Sequence, residues 1–283
     1  MVRWETLSEK VLELIVAAEV SLPSDVKEQL AKLYGKSSGL AKVQLKALLD
    51  NVEVAERKRV PICQDTGLLT FYVKKPPWLS AAAVKKVIHE AVRKATREAF
   101  LRTNVVHPFT RGVVEDNVGL DNPIIYFEPR DDGEARIDLL VKGAGSENNC
   151  IAFSLTPKEG VEGLISAVVD HVARRGGASC PPLIVGVGIG GTLDYAVHLS
   201  KRVLFAPINE GGEASELEEK LQREIDRLEI GVMGLGEGPT VMKVKIAYAG
   251  CHTASLPVAI NIQCWALRRR SLVFNEKGEF TLW

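Results

Sequence analysis

The chain has 283 residues, 46% of them hydrophobic, which is enough to bury a substantial core. Its 36 Lys and Arg balance 36 Asp and Glu, so there is neither the basic footprint of a nucleic-acid-binding protein nor a charge that draws it to an acidic membrane. No apolar run approaches the roughly 18 residues of a membrane span, and the first residues lead straight into an amphipathic pattern rather than a signal peptide, so a soluble, cytoplasmic chain is expected.

In chain order, Leu12, Leu14, Ile15 and Ala18 recur at helical spacing. Asp25 with Glu28 three residues on looks like a capping pair opening a second helix. Residues 38–54 repeat the helical pattern, and 80–101 form a long helix with Ala81, Val84, Val87, Ile88 and Val92 on its buried face. Between these lies a polar loop, Pro61-Ile62-Cys63-Gln64-Asp65-Thr66-Gly67, followed by a strand over 68–73. Strands are expected over 124–127 and 135–141, then a glycine-rich turn over 142–149. A helix over 159–175 precedes a buried strand over 183–187. Gly188-Ile189-Gly190-Gly191-Thr192 then leads into a helix from Leu193. That loop lacks the G-x-G-x-x-G spacing and the lysine of nucleotide-binding loops, so close backbone packing is its expected role. A charged helix over 215–228 and strands over 241–249, 258–264 and 272–274 complete the chain. Two basic runs, Arg57-Lys58-Arg59 and Arg268-Arg269-Arg270, are expected at solvated element ends or at a subunit contact. The pattern predicts a mixed α/β (α+β) fold: one domain over 1–283, with a helical N-terminal region to about residue 120 packed with a mixed sheet from about 121 that carries the functional loops.

Five cysteines, Cys63, Cys150, Cys180, Cys251 and Cys264, are odd in number and dispersed. In a reducing compartment they are core thiols, metal ligands or nucleophiles rather than disulfides, and spacing alone does not choose among these. Cys63 and Cys180 sit in turns rich in Gly and Pro, and Cys264 ends an apolar strand. Buried thiols acting as small hydrophobes are the plain alternative.

The segment Pro61-Ile62-Cys63-Gln64-Asp65-Thr66-Gly67 resembles the class I fumarase and tartrate dehydratase family of iron–sulfur hydro-lyases. So do Lys142-Gly143-Ala144-Gly145-Ser146-Glu147-Asn148, the stretch from Cys180-Pro181-Pro182 to Gly190-Gly191-Thr192, and His252-Thr253-Ala254-Ser255-Leu256-Pro257 with Cys264. Their order fits, and the likeness covers nearly the whole chain, most specifically as the separate α subunit of two-subunit enzymes. The resemblance implies a [4Fe–4S] cluster on Cys63, Cys180 and Cys264, with one iron left open as a Lewis acid for a small dicarboxylate. It implies catalytic roles for Asp65 and His252, and substrate binding by Gln64, Arg102 and the Gly145 turn. Read alone, Asp65 could equally be a turn-forming residue, Arg102 a helix-end cation and Gly145 part of a plain turn. Cys150 and Cys251 are expected to be bystanders. The segment Gly234-Leu235-Gly236-Glu237-Gly238-Pro239-Thr240 departs from the family pattern, so no substrate contact is carried over to it.

Single-chain members of the family continue into a second domain bearing a general base, and this chain ends shortly after Cys264. A separate β subunit, in an α2β2 assembly, is therefore expected. Fumarate hydration is the first reading and L(+)-tartrate dehydration the second. A non-catalytic iron–sulfur redox or sensor protein, and a zinc protein on the same three cysteines, are the readings from other classes.

Overall fold

The computed structural model describes residues 2–283 as two compact units, each built from separated stretches of chain. One comprises the residues up to Pro23, Asn51–Ala144 and Arg268–Trp283; the other comprises Ser24–Asp50 and Gly145–Leu267.

The first unit is a five-stranded sheet with helices packed on it. Its strands are β1 (Leu68–Lys75), β2 (Ile124–Pro129), β3 (Glu134–Lys142), β8 (Arg268–Asn275) and β9 (Phe280–Leu282), in the order β2-β1-β3-β8-β9. Only the β1–β2 pair is parallel. Helix α1 (Trp4–Val20) buries Leu7, Val11, Leu14, Ile15 and Ala18, a stripe at helical spacing, and α4 (Ala81–Arg97) buries Val84, Val87, Ile88, Ala91, Val92 and Ala95. These stripes meet Phe71, Val73, Ile137, Leu139 and Phe274 in one core. The Ser80 hydroxyl caps α4 by accepting from the Ala83 amide at 3.4 Å.

The second unit has a four-stranded sheet: β4 (Ile151–Leu155), β5 (Leu183–Gly191), β6 (Val241–Cys251) and β7 (Leu256–Gln263), in the order β4-β7-β5-β6. Only β5 and β6 run parallel. Helices α6 (Gly160–Arg175) and α8 (Ser215–Asp226) share a core with Val185, Val187, Val244, Ile260 and Ile262. Helix α7 (Leu193–Arg202) packs on β5 and β7. A Cβ on Gly186 would lie 2.2 Å from the Ser200 carbonyl oxygen, and one on Gly188 2.0 Å from that of Ala196. The glycines therefore let backbone meet backbone, as the sequence suggested, and β5 continues through them instead of giving way to a loop at 188. Helix α2 (Ser24–Lys36) and the first part of α3 (Gly39–Lys58) also belong here. A single turn of helix, α5 (Ala144–Glu147), replaces the expected glycine turn. Among the described residues no helix is long and apolar enough to cross a membrane.

Several expectations need correction. Helix α4 stops at Arg97, so Arg102 lies beyond it in an irregular segment. Asp25 is not a cap: it lies in the first turn of α2 and its carboxylate accepts from the Ile208 amide at 2.9 Å. Arg268 and Arg269 are not solvated; β8 buries them to 2% and 8% exposure. The short strands β4 and β9 were not foreseen.

Candidate active-site residues

In the first unit the loop over residues 61–67 is held from several sides. The Ile62 amide donates to the Glu19 carbonyl at the end of α1 (2.9 Å), and Asn51 Nδ2 on α3 donates to the Ile62 carbonyl (2.9 Å). Half-buried Cys63 receives the Asp65 amide at its sulfur, at 3.4 Å. Asp65 Oδ1 accepts from the Gly67 amide at 2.8 Å, which is the turn-forming contact of an Asx residue, and Oδ2 accepts from the Ala144 amide at 2.7 Å. Both carboxylate oxygens are thus fixed. Gly143 permits this: a Cβ there would meet Oδ2 at 2.8 Å, whereas one on Gly145 would find only an ordinary contact at 3.7 Å.

Arg268 forms the floor of this loop. Its Nη2 donates to the Asp65 carbonyl (2.9 Å) and its Nη1 to Glu19 Oε2 (2.7 Å). Glu19 is fully buried, and its Oε1 has no hydrogen-bond partner among the described residues. Burial pushes the Glu19 carboxyl up to about 7, helped by the nearby Asp65 and opposed by the attraction and hydrogen bond of Arg268. A short ion pair alone would lower it; desolvation outweighs the pair here.

Arg102 sits on the long connection between α4 and β2. Its amide donates to Thr66 Oγ1 at 2.9 Å and its Nη1 to the Gln64 carbonyl at 3.3 Å. Gln64 and Arg102 are both exposed. The connection is ordered by Asn117, which is 7% exposed and left-handed at φ 59°. Asn117 Oδ1 accepts from the amides of Asn104 and Val105, and its Nδ2 donates to Thr96 Oγ1 and to the Arg102 carbonyl. Asn104 Nδ2 in turn reaches Thr66 Oγ1 and the Gly67 carbonyl, both at 3.1 Å.

In the second unit, Cys180 follows a 3-10 turn, Gly176–Ser179, and is exposed with a left-handed backbone at φ 52°. Cys264 follows directly on β7 and is half-buried. The structure brings these two segments together: the Trp265 amide donates to the Cys180 carbonyl at 3.3 Å. Ser146 Oγ accepts from the Cys264 amide at 3.2 Å. Asn149 Nδ2 bonds the Gly145 carbonyl (2.7 Å) and Ser179 Oγ (3.0 Å), and its own carbonyl meets His171 Nε2 at 2.7 Å. Cys150 points its thiol at the Ser146 carbonyl, 3.4 Å away, and Cys251 is exposed at the end of β6.

His252 lies in the turn after β6, exposed. Its Nδ1 accepts from the Ala254 amide at 3.1 Å, so the neutral ring carries its proton on Nε2 and presents it as a donor. The departing segment 234–240 has a structural job: Glu237 Oε2 accepts from the Leu40 amide in the first turn of α3, at 2.9 Å. Among the described residues no group of three His, Cys, Asp or Glu side chains is placed to hold a metal ion.

Glu19, Asn104, Asn117, Ser146 and Arg268 were not singled out by sequence. Two carried a signal that could have found them: Ser146 lies in the resembling segment 142–148, and Arg268, first of three arginines, is flanked by the apolar Trp265-Ala266-Leu267 and Leu272-Val273-Phe274, a pattern compatible with a strand.

The family model described as Fumarate hydratase (Fumerase) matches residues 8–273. A protein of Methanocaldococcus jannaschii with the provisional name L(+)-tartrate dehydratase subunit alpha is 44% identical over 272 residues, covering 93% of this chain and 95% of its own. L(+)-tartrate dehydratase subunit alpha of Escherichia coli K12 is 32% identical over 275 residues, covering 94% and 90%. A protein of Geobacillus stearothermophilus provisionally named fumarate hydratase class I is 31% identical over 293 residues; the match covers 99% of this chain but 57% of that one.

Proposed function

The chain belongs to the fumarate hydratase family, and from that premise we propose that it is the α subunit of an iron–sulfur hydro-lyase interconverting fumarate and (S)-malate. The observation that carries this reading is the family match over 8–273 together with the pinned 61–67 loop, which fixes a thiol and a carboxylate two residues apart. Water adds across the double bond as hydroxide to one carbon and a proton to the other, with no net redox change.

Cys63, Cys180 and Cys264 are the proposed ligands of a [4Fe–4S] cluster. The donor chemistry is right for the group: all three are cysteines outside any disulfide, and the Cys63 and Cys264 sulfurs face N–H donors of the kind that stabilise a thiolate. When bound, the cluster supplies a Lewis-acidic iron with an open position. Arg102, tethered through its amide and Nη1, turns the rest of its guanidinium fork to a substrate carboxylate. Gln64 and the Gly145 backbone complete the substrate contacts. Asp65, with both oxygens fixed, orients the reacting hydroxyl and takes part in proton transfer. His252, with its Nδ1 held by the Ala254 amide, offers Nε2–H as a donor for the reaction. The general base belongs to a separate β subunit in an α2β2 assembly, consistent with the α-subunit names of two relatives. The reducing cytoplasm, where thiols stay free, is the proposed compartment.

L(+)-tartrate is the second reading, favoured by the names of the M. jannaschii and E. coli relatives. Anaerobic reconstitution with the β subunit, followed by parallel assays on malate, fumarate and L(+)-tartrate, separates the two. Turnover of tartrate alone overturns the first reading, and robust turnover by the lone chain overturns the two-subunit requirement. Spectra of Cys63→Ser, Cys180→Ser and Cys264→Ser test the ligands; an intact cluster in any one removes that ligand.

A further inference from the structure

We propose that Gln263 is a positioning residue that donates a hydrogen bond to the Cys264 sulfur and so tunes the iron–sulfur cluster; this rests on the reading of Cys264 as a ligand. Gln263 is the last residue of β7 and is fully buried. Its side-chain nitrogen lies 3.1 Å from the Ala266 carbonyl oxygen and 3.5 Å from Cys264 Sγ. Its carbonyl oxygen meets no hydrogen-bond donor among the described residues.

The orientation of a carboxamide is set by its neighbours, and here they decide it. The Ala266 carbonyl can only accept. Reversing the amide would set two carbonyl oxygens against each other and remove the donor from the sulfur. The amide keeps its nitrogen inward although its oxygen goes unsatisfied, which is a cost a buried polar group rarely carries without a partner to serve. Free Cys264 can give its thiol proton to the Ala266 carbonyl, 3.7 Å away. With Cys264 holding iron as a thiolate, that proton would have passed to solvent, leaving the Gln263 amide as the donor to both acceptors.

The surroundings fix the geometry. Ser146 Oγ accepts from the Cys264 amide at 3.2 Å and the Trp265 amide is tied to the Cys180 carbonyl, so the backbone carrying the sulfur cannot swing away from the amide. A hydrogen bond to a cluster thiolate draws charge off the sulfur and favours the reduced cluster, so losing it makes the reduction potential more negative. Gln263 has no substrate role in this scheme.

The test uses the full chain, reconstituted anaerobically with its β subunit, comparing wild type with Gln263→Met, which keeps length and apolar bulk but removes the donor. Gln263→Leu repeats the test if methionine is not tolerated. The expected result in a potentiometric titration followed by electron paramagnetic resonance is a more negative midpoint with unchanged KM. An unmoved midpoint at full cluster content overturns the proposal. Wild-type protein labelled with 15N in its glutamine side chains supplies a reading free of any variant: absence of 15N coupling to the reduced cluster also overturns it. Cys264→Ser runs alongside. If that variant keeps an unaltered cluster, the ligand assignment has failed; if it loses or alters the cluster while Gln263→Met leaves the midpoint unmoved, only the role of Gln263 has failed.

Discussion

Glu19 offers a quantitative test of how burial and ion pairing compete beneath the Asp65 loop. Its carboxyl is raised from an ordinary 4.5 to about 7, chiefly by burial. A carboxyl whose folded value is raised holds its proton more tightly in the native state. Its contribution to stability is therefore fully present below pH 4.5 and is lost as pH rises through 7. The shift of about 2.5 (7 less 4.5) corresponds to about 3 kcal/mol at roughly 1.4 kcal/mol per unit. Glu19→Gln keeps an acceptor for Arg268 but has nothing to titrate. Urea unfolding of wild type and Glu19→Gln, in the same cluster state, should be measured between pH 4 and 8. Other carboxylates cancel in the difference, as does any fixed offset from the amide. The variant should gain about 3 kcal/mol on wild type between the two ends, most of it between pH 4.5 and 7. A flat difference, or one running the other way, would mean that Arg268, 2.7 Å from Oε2, outweighs desolvation, and would refute the reasoning.

Three further outcomes follow from the geometry. Gly188→Ala sets a methyl 2.0 Å from the Ala196 carbonyl oxygen and 2.6 Å from the Ser200 nitrogen, both backbone, so it should cost about 3 kcal/mol or more in a denaturant melt. Asn117→Ala removes four hydrogen bonds and a residue suited to positive φ; it should cost about 3 kcal/mol and raise KM by loosening the Arg102 segment. Arg102→Lys replaces the planar fork with a point charge and should raise KM for the proposed dicarboxylate roughly tenfold to a hundredfold, with a smaller effect on kcat, in steady-state assays of the chain reconstituted with the proposed β subunit. An unchanged KM would remove Arg102 from the substrate site.

The parts of the fold visible in sequence were those with strong periodicity. The stripes of α1 and α4 and the continuous apolar run of β5 announce themselves because a single face, or two, is buried against one core. The connection between α4 and β2 was opaque, since its order comes from one side chain, Asn117, whose four partners are scattered through other segments. The 61–67 loop was recognisable by its residues, yet what holds it was not: Glu19 and Arg268 lie 249 positions apart, and nothing local marks either as a partner of Asp65. Arg268 misled for a physical reason. Three adjacent arginines look solvated, and burial of the first is possible only because a carboxylate and a carbonyl meet its fork.

The order of segments in the first unit sets a timetable for synthesis on the ribosome. Strand β8 lies between β3 and β9, and its Arg268 is the clamp on the Asp65 carbonyl. The 61–67 loop is translated early, but its floor, Arg268, is translated 203 residues after Asp65. Until then the β3 edge is open and the Glu19 carboxyl has no guanidinium to face. The nascent chain therefore carries the 61–67 loop unlocked until Arg268 emerges, and an exposed strand edge over that interval is where a chaperone would be drawn.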